Sequence, residues 1–246
     1  MKKEIYIHVG LPKTATTFLQ KNIFRYCKDI YFVKKLPFFT SNINMNKILI
    51  SNEALSGSPQ SGRSVDRRDK IIRRLKKLFP EARIVLGLRE KQKWTVSLYR
   101  QYVRQGGVCL FEDWFNNVFD HRFLDFDEYI SLLDSLFPEI YVYQLKDFKL
   151  NCQRSVSNLC SFLEISVPQY NPQPMHVSYN EKRTELIRKG NHLFKSYLNT
   201  SGIIPIEWKF MRPQRIYDTI PYIISNLKGI NIDDYRTDIS YITKRL

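Results

Sequence analysis

The sequence predicts an α/β fold in which a mostly parallel sheet carries helices on both faces and a mainly helical region follows towards the C-terminus. Three observations predict it. Short apolar, β-branched runs alternate with helical patterns from Ile5 to about Ile165, and such alternation builds βαβ units, which close as parallel sheets covered on both sides. A glycine turn follows the first of these runs directly. Two residues suited to chemistry, Glu53 and Arg89, stand just past the ends of other runs, where ligands of parallel sheets gather.

The first strand is expected at Glu4–Val9, and helical spacing then runs from Thr14 to Arg25, with Phe18, Ile23 and Phe24 as core contacts. A second strand, Lys47–Ser51, leads into Asn52-Glu53, and Ser56–Ser64, with its glycines and proline, is a loop. Val65–Phe79 is a basic amphipathic helix whose stripe is Ile71, Ile72, Leu75, Leu78 and Phe79. The strand Arg83–Leu88 ends at Arg89, and the helix Gln92–Arg104 is stopped by Gly106-Gly107. Helices at Phe111–Phe119 and Phe126–Phe137, a strand at Ile140–Gln144 and a helix at Arg154–Leu163 complete the alternation. Beyond Val167 it fades: Pro168, Pro172 and Pro174 intervene, Asn180–Asn199 has a helical pattern, and the tail from Pro205 suggests two short helices. Residues 1–246 therefore read as one domain, with 167–246 its less regular, mainly helical part.

The composition supports a real core. Hydrophobic residues make up 43% and aromatics 14% of the 246 residues, too apolar for a chain without one. Against 24 acidic residues stand 39 basic ones, a net charge of +15. That surplus draws polyanions, whether nucleic acid, an anionic membrane surface or phosphorylated small molecules, without choosing among them. It is also what a solvated basic surface looks like, and the seven basic residues of Arg67–Lys77 read as solvent-facing. The four cysteines show no CxxC pair and no metal-ligand spacing with the four histidines. Cys152 and Cys160 flank an apolar helical pattern and are expected as buried thiols in a reducing compartment. Met1-Lys-Lys-Glu runs straight into the first strand without an export segment, and no apolar run is long enough to span a bilayer. The expectation is a soluble, cytoplasmic chain.

The segment Gly10-Leu-Pro-Lys-Thr-Ala-Thr-Thr17 carries the chemistry. A strand, a tight turn and a helix opening with hydroxyl residues is an arrangement that holds phosphate, through unpaired N–H groups at the helix start and the helix dipole. Lys13 adds a cation, and Thr14, Thr16 and Thr17 add hydroxyls. Plain N-capping by a threonine would need neither the lysine nor three threonines. The nucleoside-triphosphatase P-loop, Gly-x-x-x-x-Gly-Lys-(Ser/Thr), is the competing motif. Here the lysine comes three residues after Gly10 with no second glycine before it, which gives less wrap, although Glu53 keeps a Mg²⁺-binding site open.

This pattern resembles the 5′-phosphosulfate loop of sulfotransferases that use 3′-phosphoadenosine 5′-phosphosulfate (PAPS). The family form, Gly-x-x-Lys-(Ser/Thr)-(Ala/Gly)-(Ser/Thr)-(Ser/Thr), fits Gly10–Thr17 position for position. The family's second element is a strand ending in arginine with a serine eight positions on, both contacting the donor's 3′-phosphate. Arg89 and Ser97 match it, a guanidinium fork and a hydroxyl suiting phosphate oxygens. The stretches Ser97–Tyr102 with Gly106-Gly107, and Asp127–Ile165, look like the bacterial carbohydrate-type branch, so the resemblance covers about Ile5–Ile165.

The resemblance implies a P-loop-like sulfotransferase architecture. It assigns Gly10, Lys13, Thr14, Ala15, Thr16, Thr17, Arg89 and Ser97 to donor binding, with PAPS as donor, 3′-phosphoadenosine 5′-phosphate (PAP) as product and no metal required. Lys13 is expected to stabilise the leaving oxygen and Glu53, past the second strand, to be the general base. Partial burial would have to raise its pKa, and the plainer role is a surface glutamate capping the next turn. His8 is the alternative base, though a histidine inside a strand is more commonly packed and hydrogen-bonded; His121 and His176 have no assignable role. Arg188-Lys-Gly190 copies a tripeptide of cytosolic sulfotransferases but sits in a helical pattern, and Lys182 and Arg183 are weaker candidates. Arg100, Gln101 and Arg104 share a helix with Ser97 and could face an anionic sugar or simply solvent. The implied acceptor is a hydroxyl on a carbohydrate or glycolipid, with small phenols as the alternative; an anionic acceptor and peripheral membrane contact are left open. Two other classes stay open: a P-loop kinase or ATPase using ATP and Mg²⁺, and a non-enzymatic polyanion-binding protein, although no nucleic-acid motif is present.

Overall fold

The computed structural model describes residues 3–34, 43–59, 64–171 and 180–205. Two compact units are formed, one from Met1–Lys91 and Val118–His176, the other from Gln92–Asn117 and Val177–Leu246.

The first unit is built on a five-stranded sheet of β1 (Glu4–His8), β2 (Tyr31–Val33), β3 (Lys47–Ser51), β4 (Arg83–Leu88) and β5 (Ile140–Gln144), in the order β2-β3-β1-β4-β5. Every pairing is parallel. Successive strand residues face opposite sides of a sheet, and over the inner strands β1, β3 and β4 both sides are largely dry. Tyr6, Leu49, Val85 and Tyr143 join one core with Phe18, Leu19, Ile23 and Phe24 and with Val156, Leu159, Cys160 and Leu163. The alternate residues Ile7, Ile48, Ile50, Ile84 and Leu86 are fully buried too. This is why the strands read as near-continuous apolar runs in the sequence.

Three strands match their expected spans: β3, β4 and β5. The edge strand β2 is new, three residues too short to stand out. The helical run after β1 begins at Thr16 rather than Thr14, because Lys13 and Ala15 are both left-handed, with φ of 67° and 72°. One α-turn, α1 (Thr16–Phe18), passes into a π segment, Leu19–Ile23, and a 3₁₀ turn, Phe24–Tyr26. Helices α2 (Ser64–Leu78), α5 (Phe126–Leu136), α6 (Leu145–Leu150) and α7 (Cys152–Phe162) complete the unit. Asp125 and Asn151 cap α5 and α7, accepting from the backbone N–H groups of Glu128 and Arg154. Of the basic run on α2, Arg67, Lys70, Arg73, Arg74 and Lys77 are exposed as expected. Lys76 is half-buried, and Arg68 is fully buried, its guanidinium 4.1 Å from the Tyr129 ring centre and its Nε donating to Asp69 at 2.9 Å.

The second unit contains α3 (Lys91–Arg104) from Gln92 onward, α4 (Phe111–Asn117), α8 (Glu181–Asn191) and a parallel pair, β6 (Phe194–Lys195) and β7 (Ile204–Pro205). Tyr99, Tyr102, Phe111 and Trp114 form its aromatic cluster. The helical pattern expected to reach Asn199 stops at Asn191. There the Asn191 side chain donates to the carbonyls of Val103 and Gly107, at 2.7 and 2.9 Å, and Asn199 donates to the Asn191 and Phe194 carbonyls. Side-chain amides that satisfy turn carbonyls compete with helix. The free thiols are Cys160, buried, and Cys27, Cys109 and Cys152, half-buried. Burial pushes the Cys160 thiol up to about 11 and that of Cys27 to about 12. Among the described residues no helix is long and apolar enough to cross a membrane, and no His, Cys, Asp or Glu group could hold a metal ion. The expected tail helices from Pro205 and His176 lie outside the described residues, save Pro205 itself in β7.

Candidate functional site

The strand order runs from β1 outward through β3 to β2, and from β4 in the opposite direction to β5. Such a reversal between neighbouring strands opens a crevice at their carboxyl ends. The segment Gly10–Thr17 follows β1, Arg89 follows β4 and is half-buried, and Glu53 follows β3.

The loop is held in a costly shape. Left-handed Lys13 and Ala15 flank Thr14, whose φ is negative. Left-handed backbone is rare for residues with a Cβ and persists where the surroundings impose it. Alternation of this kind curls a chain so that successive N–H groups converge, the form of an anion-binding nest. Leu19 N–H bonds back to the Ala15 carbonyl at 3.0 Å, so the N–H groups ahead of it in this opening turn have no acceptor within the helix. Thr14 is fully buried and donates its hydroxyl proton to the Leu11 carbonyl at 2.6 Å. Its side chain therefore shapes the loop. Thr16 is also buried, and its Oγ1 has no hydrogen-bond partner. The nearby Tyr143 hydroxyl directs its own proton to the Thr14 carbonyl, at 2.9 Å. Thr17 and Lys13 are half-buried.

Gly10 has a reason that differs from the tight turn expected of it. Its φ is not positive; a Cβ there would stand 2.6 Å from His8 Nε2 and 2.9 Å from Thr16 Oγ1. The glycine is needed for close approach.

His8 is fully buried and cannot serve as the base. Its Nδ1 lies 2.8 Å from Ser51 Oγ and its Nε2 3.1 Å from Tyr143 Oη, so both ring nitrogens are taken. Burial lowers its pKa to about 3. A histidine whose folded pKa lies below its unfolded value favours folding above about 6.5. That stability is lost as the pH falls from there towards 3. His8→Gln is expected to flatten this acid limb; urea unfolding of both proteins between pH 7 and 4 measures it, and parallel slopes would contradict the assignment.

Glu53 opens a 3₁₀ turn, Glu53–Ser56, whose cap is Asn52, its side chain accepting from Ala54 N–H at 2.9 Å. The capping role considered for Glu53 thus belongs to its neighbour. Burial raises the Glu53 pKa, and the Lys13 and Lys34 ammonium groups pull it back. Lys13 and Glu53, from the ends of adjacent strands, are within electrostatic reach of each other. Sequence order alone could not show that.

In the second unit, Ser97 is buried on α3 and its Oγ has no hydrogen-bond partner. A serine inside a helix ordinarily returns its proton to the preceding turn, so this hydroxyl is one with its donor unused. Arg100 is half-buried, and desolvation lowers its pKa against the pull of Glu181. The tripeptide Arg188-Lys-Gly190 is helical, within α8. The Arg188 guanidinium makes two 2.7 Å bonds to Glu185 and a 2.9 Å bond to the Val108 carbonyl, which binds it into the unit's own framework. His121 is exposed.

The fold and loop together define an α/β protein with a parallel sheet and a strained turn, left-handed at Lys13 and Ala15, after its first strand. Among solved structures, the chain is similar to a sulfotransferase from Alicyclobacillus acidocaldarius, with 16% identity and a TM-score of 0.49 over 78% of this chain and 93% of that one. It is also similar to mouse sulfotransferase SULT7A1 complexed with PAP, with 12% identity and a TM-score of 0.39 over 99% of this chain and 82% of that one. No family model and no curated protein matches the chain.

Proposed function

We propose that the protein is a sulfotransferase that moves a sulfuryl group from PAPS to an acceptor hydroxyl and releases PAP. The observation that carries the reading is that Lys13 and Glu53, at the ends of adjacent strands and close enough to act on each other electrostatically, flank a loop that fits the phosphosulfate motif. In the proposed reaction the acceptor oxygen attacks sulfur in line with the departing 5′-phosphate oxygen. The new S–O bond forms as the old one breaks, the hydroxyl proton passes to Glu53, and PAP leaves. Lys13 offsets charge on the leaving oxygen, which such preorganised groups do best in a water-poor site. Gly10, Ala15, Thr16 and Thr17 hold the 5′-phosphate, with Thr14 contributing through backbone. Arg89 and Ser97 are proposed for the 3′-phosphate. A buried hydroxyl without a partner costs about 1–3 kcal/mol, so Thr16 Oγ1 and Ser97 Oγ are chemically suited to a phosphate that would accept from them. A carbohydrate or glycolipid acceptor is the finer proposal, resting on the sequence resemblance and on a carboxylate in the position of the base.

Calorimetric titration of PAP without metal, beside ATP with Mg²⁺, tests the donor site. PAP is expected to bind, and Arg89→Ala to weaken it by about ten- to a hundredfold, as loss of a charged hydrogen-bond donor does. Mg²⁺-dependent binding of ATP with no response to PAP would overturn the proposal in favour of a kinase or ATPase.

A further inference from the structure

The sheet face under the donor loop carries a chain of buried polar groups that the transfer chemistry does not use. Gln20 Nε2 donates to the Ser51 carbonyl and to Ser51 Oγ, each at 3.0 Å. Ser51 Oγ lies 2.8 Å from His8 Nδ1, and His8 Nε2 lies 3.1 Å from Tyr143 Oη, which donates to the Thr14 carbonyl at 2.9 Å. The direction of every bond follows from the two ends. Tyr143 uses its single proton on a carbonyl, so its oxygen accepts from His8, and the imidazole proton sits on Nε2. Nδ1 must then accept from Ser51, whose oxygen in turn accepts from Gln20.

The geometry of the sheet makes this chain reachable only because one strand is bare. Ser51 on β3 is in register with His8 on β1, while Tyr143 stands on β5, beyond β4. Gly87 of β4 pairs with Tyr143, and a Cβ on it would stand 2.4 Å from the tyrosine ring and 2.8 Å from Thr14 Oγ1. With no side chain at Gly87, the Tyr143 hydroxyl reaches across β4 to both His8 and the loop.

We propose that Gln20, Ser51, His8 and Tyr143 form a positioning relay that sets the backbone of the donor loop for its anion. In a trans peptide the C=O and N–H point opposite ways. Tyr143 draws the Thr14 carbonyl towards the sheet, so the Ala15 N–H of the same peptide is turned away from the sheet, into the concave side of the loop. The left-handed Ala15, φ 72°, is held in that conformation by the same bond. Burial keeps His8 neutral over the working pH range, so the Nε2 proton and with it the direction of the relay do not change. None of the four residues touches the reacting atoms in this scheme. The proposal that the anion is the phosphate of PAPS rests on the function proposed above; the ordering of the loop by the relay does not.

Two readouts on Tyr143→Phe separate these. Hydrogen exchange of the amides of residues 13–18, followed by mass spectrometry without any ligand, reads loop order directly. PAP affinity by calorimetry reads the site. Loss of one hydrogen bond that fixes the loop is expected to speed exchange and weaken PAP by about tenfold, with the rest of the chain exchanging as before. Tyr141→Phe, on the same strand but stacked on Phe162 outside the relay, is expected to leave both readouts unchanged. His8→Gln, which keeps a donor towards Tyr143, is expected to hold affinity better than His8→Leu. Wild-type exchange in residues 13–18 of Tyr143→Phe would overturn the relay while leaving the donor site intact. Faster exchange in a protein whose wild type does not bind PAP would keep the relay and reject PAPS as its anion. Should Tyr143→Phe fail to fold, Ser51→Ala removes the donor to Nδ1 and leaves Gln20 its bond to the residue 51 carbonyl. Faster exchange of residues 13–18 in that variant supports the relay, and unchanged exchange overturns it.

Discussion

Lys13→Ala is expected to lower the proposed sulfuryl transfer by about a hundred- to a thousandfold, the usual cost of removing one preorganised stabiliser of developing charge. The fold should be unaffected. Lys13 sits at φ 67°, and alanine meets much the same steric cost there as lysine, so the backbone gains no new strain. The loss should fall mainly on kcat, because charge on the bridging oxygen grows as the S–O bond breaks and is largest in the transition state. Steady-state kinetics with varied PAPS, alongside far-UV circular dichroism, measure both. A variant that keeps kcat but binds PAPS weakly would assign Lys13 to ground-state binding and exclude it from stabilising the leaving oxygen.

Glu53→Gln is expected to remove about two to four orders of magnitude of rate, the contribution of a positioned general base, and at the same time to stabilise the fold at neutral pH. The two effects have one cause. Burial raises the Glu53 pKa above its unfolded value, so the folded state holds its proton more tightly. Between the unfolded and folded values stability falls as the pH rises, and above the folded value the whole penalty of an ionised, half-buried carboxylate is present. Glutamine has no such penalty. Its advantage should grow as the pH rises above the unfolded carboxylate range, about pH 4, and be gone below it. In the wild-type protein the rate of the proposed transfer should rise with pH through a midpoint above the ordinary carboxylate value. Lys34→Ala, which removes one of the two cations opposing that shift, should move the midpoint further up without changing the plateau. Identical pH profiles of stability in wild type and Glu53→Gln would show that the carboxylate is not desolvated, and a rate unchanged by the substitution would leave the base to another group.

The strands were legible because a sheet covered on both faces tolerates few polar residues in its strands, and that constraint writes itself into consecutive positions. Lys47–Ser51 and Arg83–Leu88, inner strands, carry it fully; Ile140–Gln144, at one edge, is buried only at Tyr143 and was legible from its apolar and β-branched residues, while Tyr31–Val33, at the other edge, is three residues long and was not. Asn180–Asn199 misled because helical spacing is local, whereas its end was set by Asn191 reaching carbonyls of Val103 and Gly107 from a distant part of the chain. His8, Gln20, Ser51 and Tyr143 carry no sequence signal as a set. They lie on different elements, and one member of the arrangement is the missing side chain of Gly87.

What the sequence determined by itself was the kind of groups on offer: a turn of lysine and threonines at Gly10–Thr17 after a strand, an arginine and a serine spaced behind another, and a carboxylate after a third. Those follow from residue type and local spacing, which act within a few turns of chain. Only the tertiary structure decided which groups meet. It brought Glu53 within reach of Lys13 and tied up Arg188 with Glu185 and Val108. It also closed His8 into the sheet with no nitrogen to spare. Burial and hydrogen-bond partners belong to contacts between elements, and those are set by the order of strands in the sheet rather than by the order of residues in the chain.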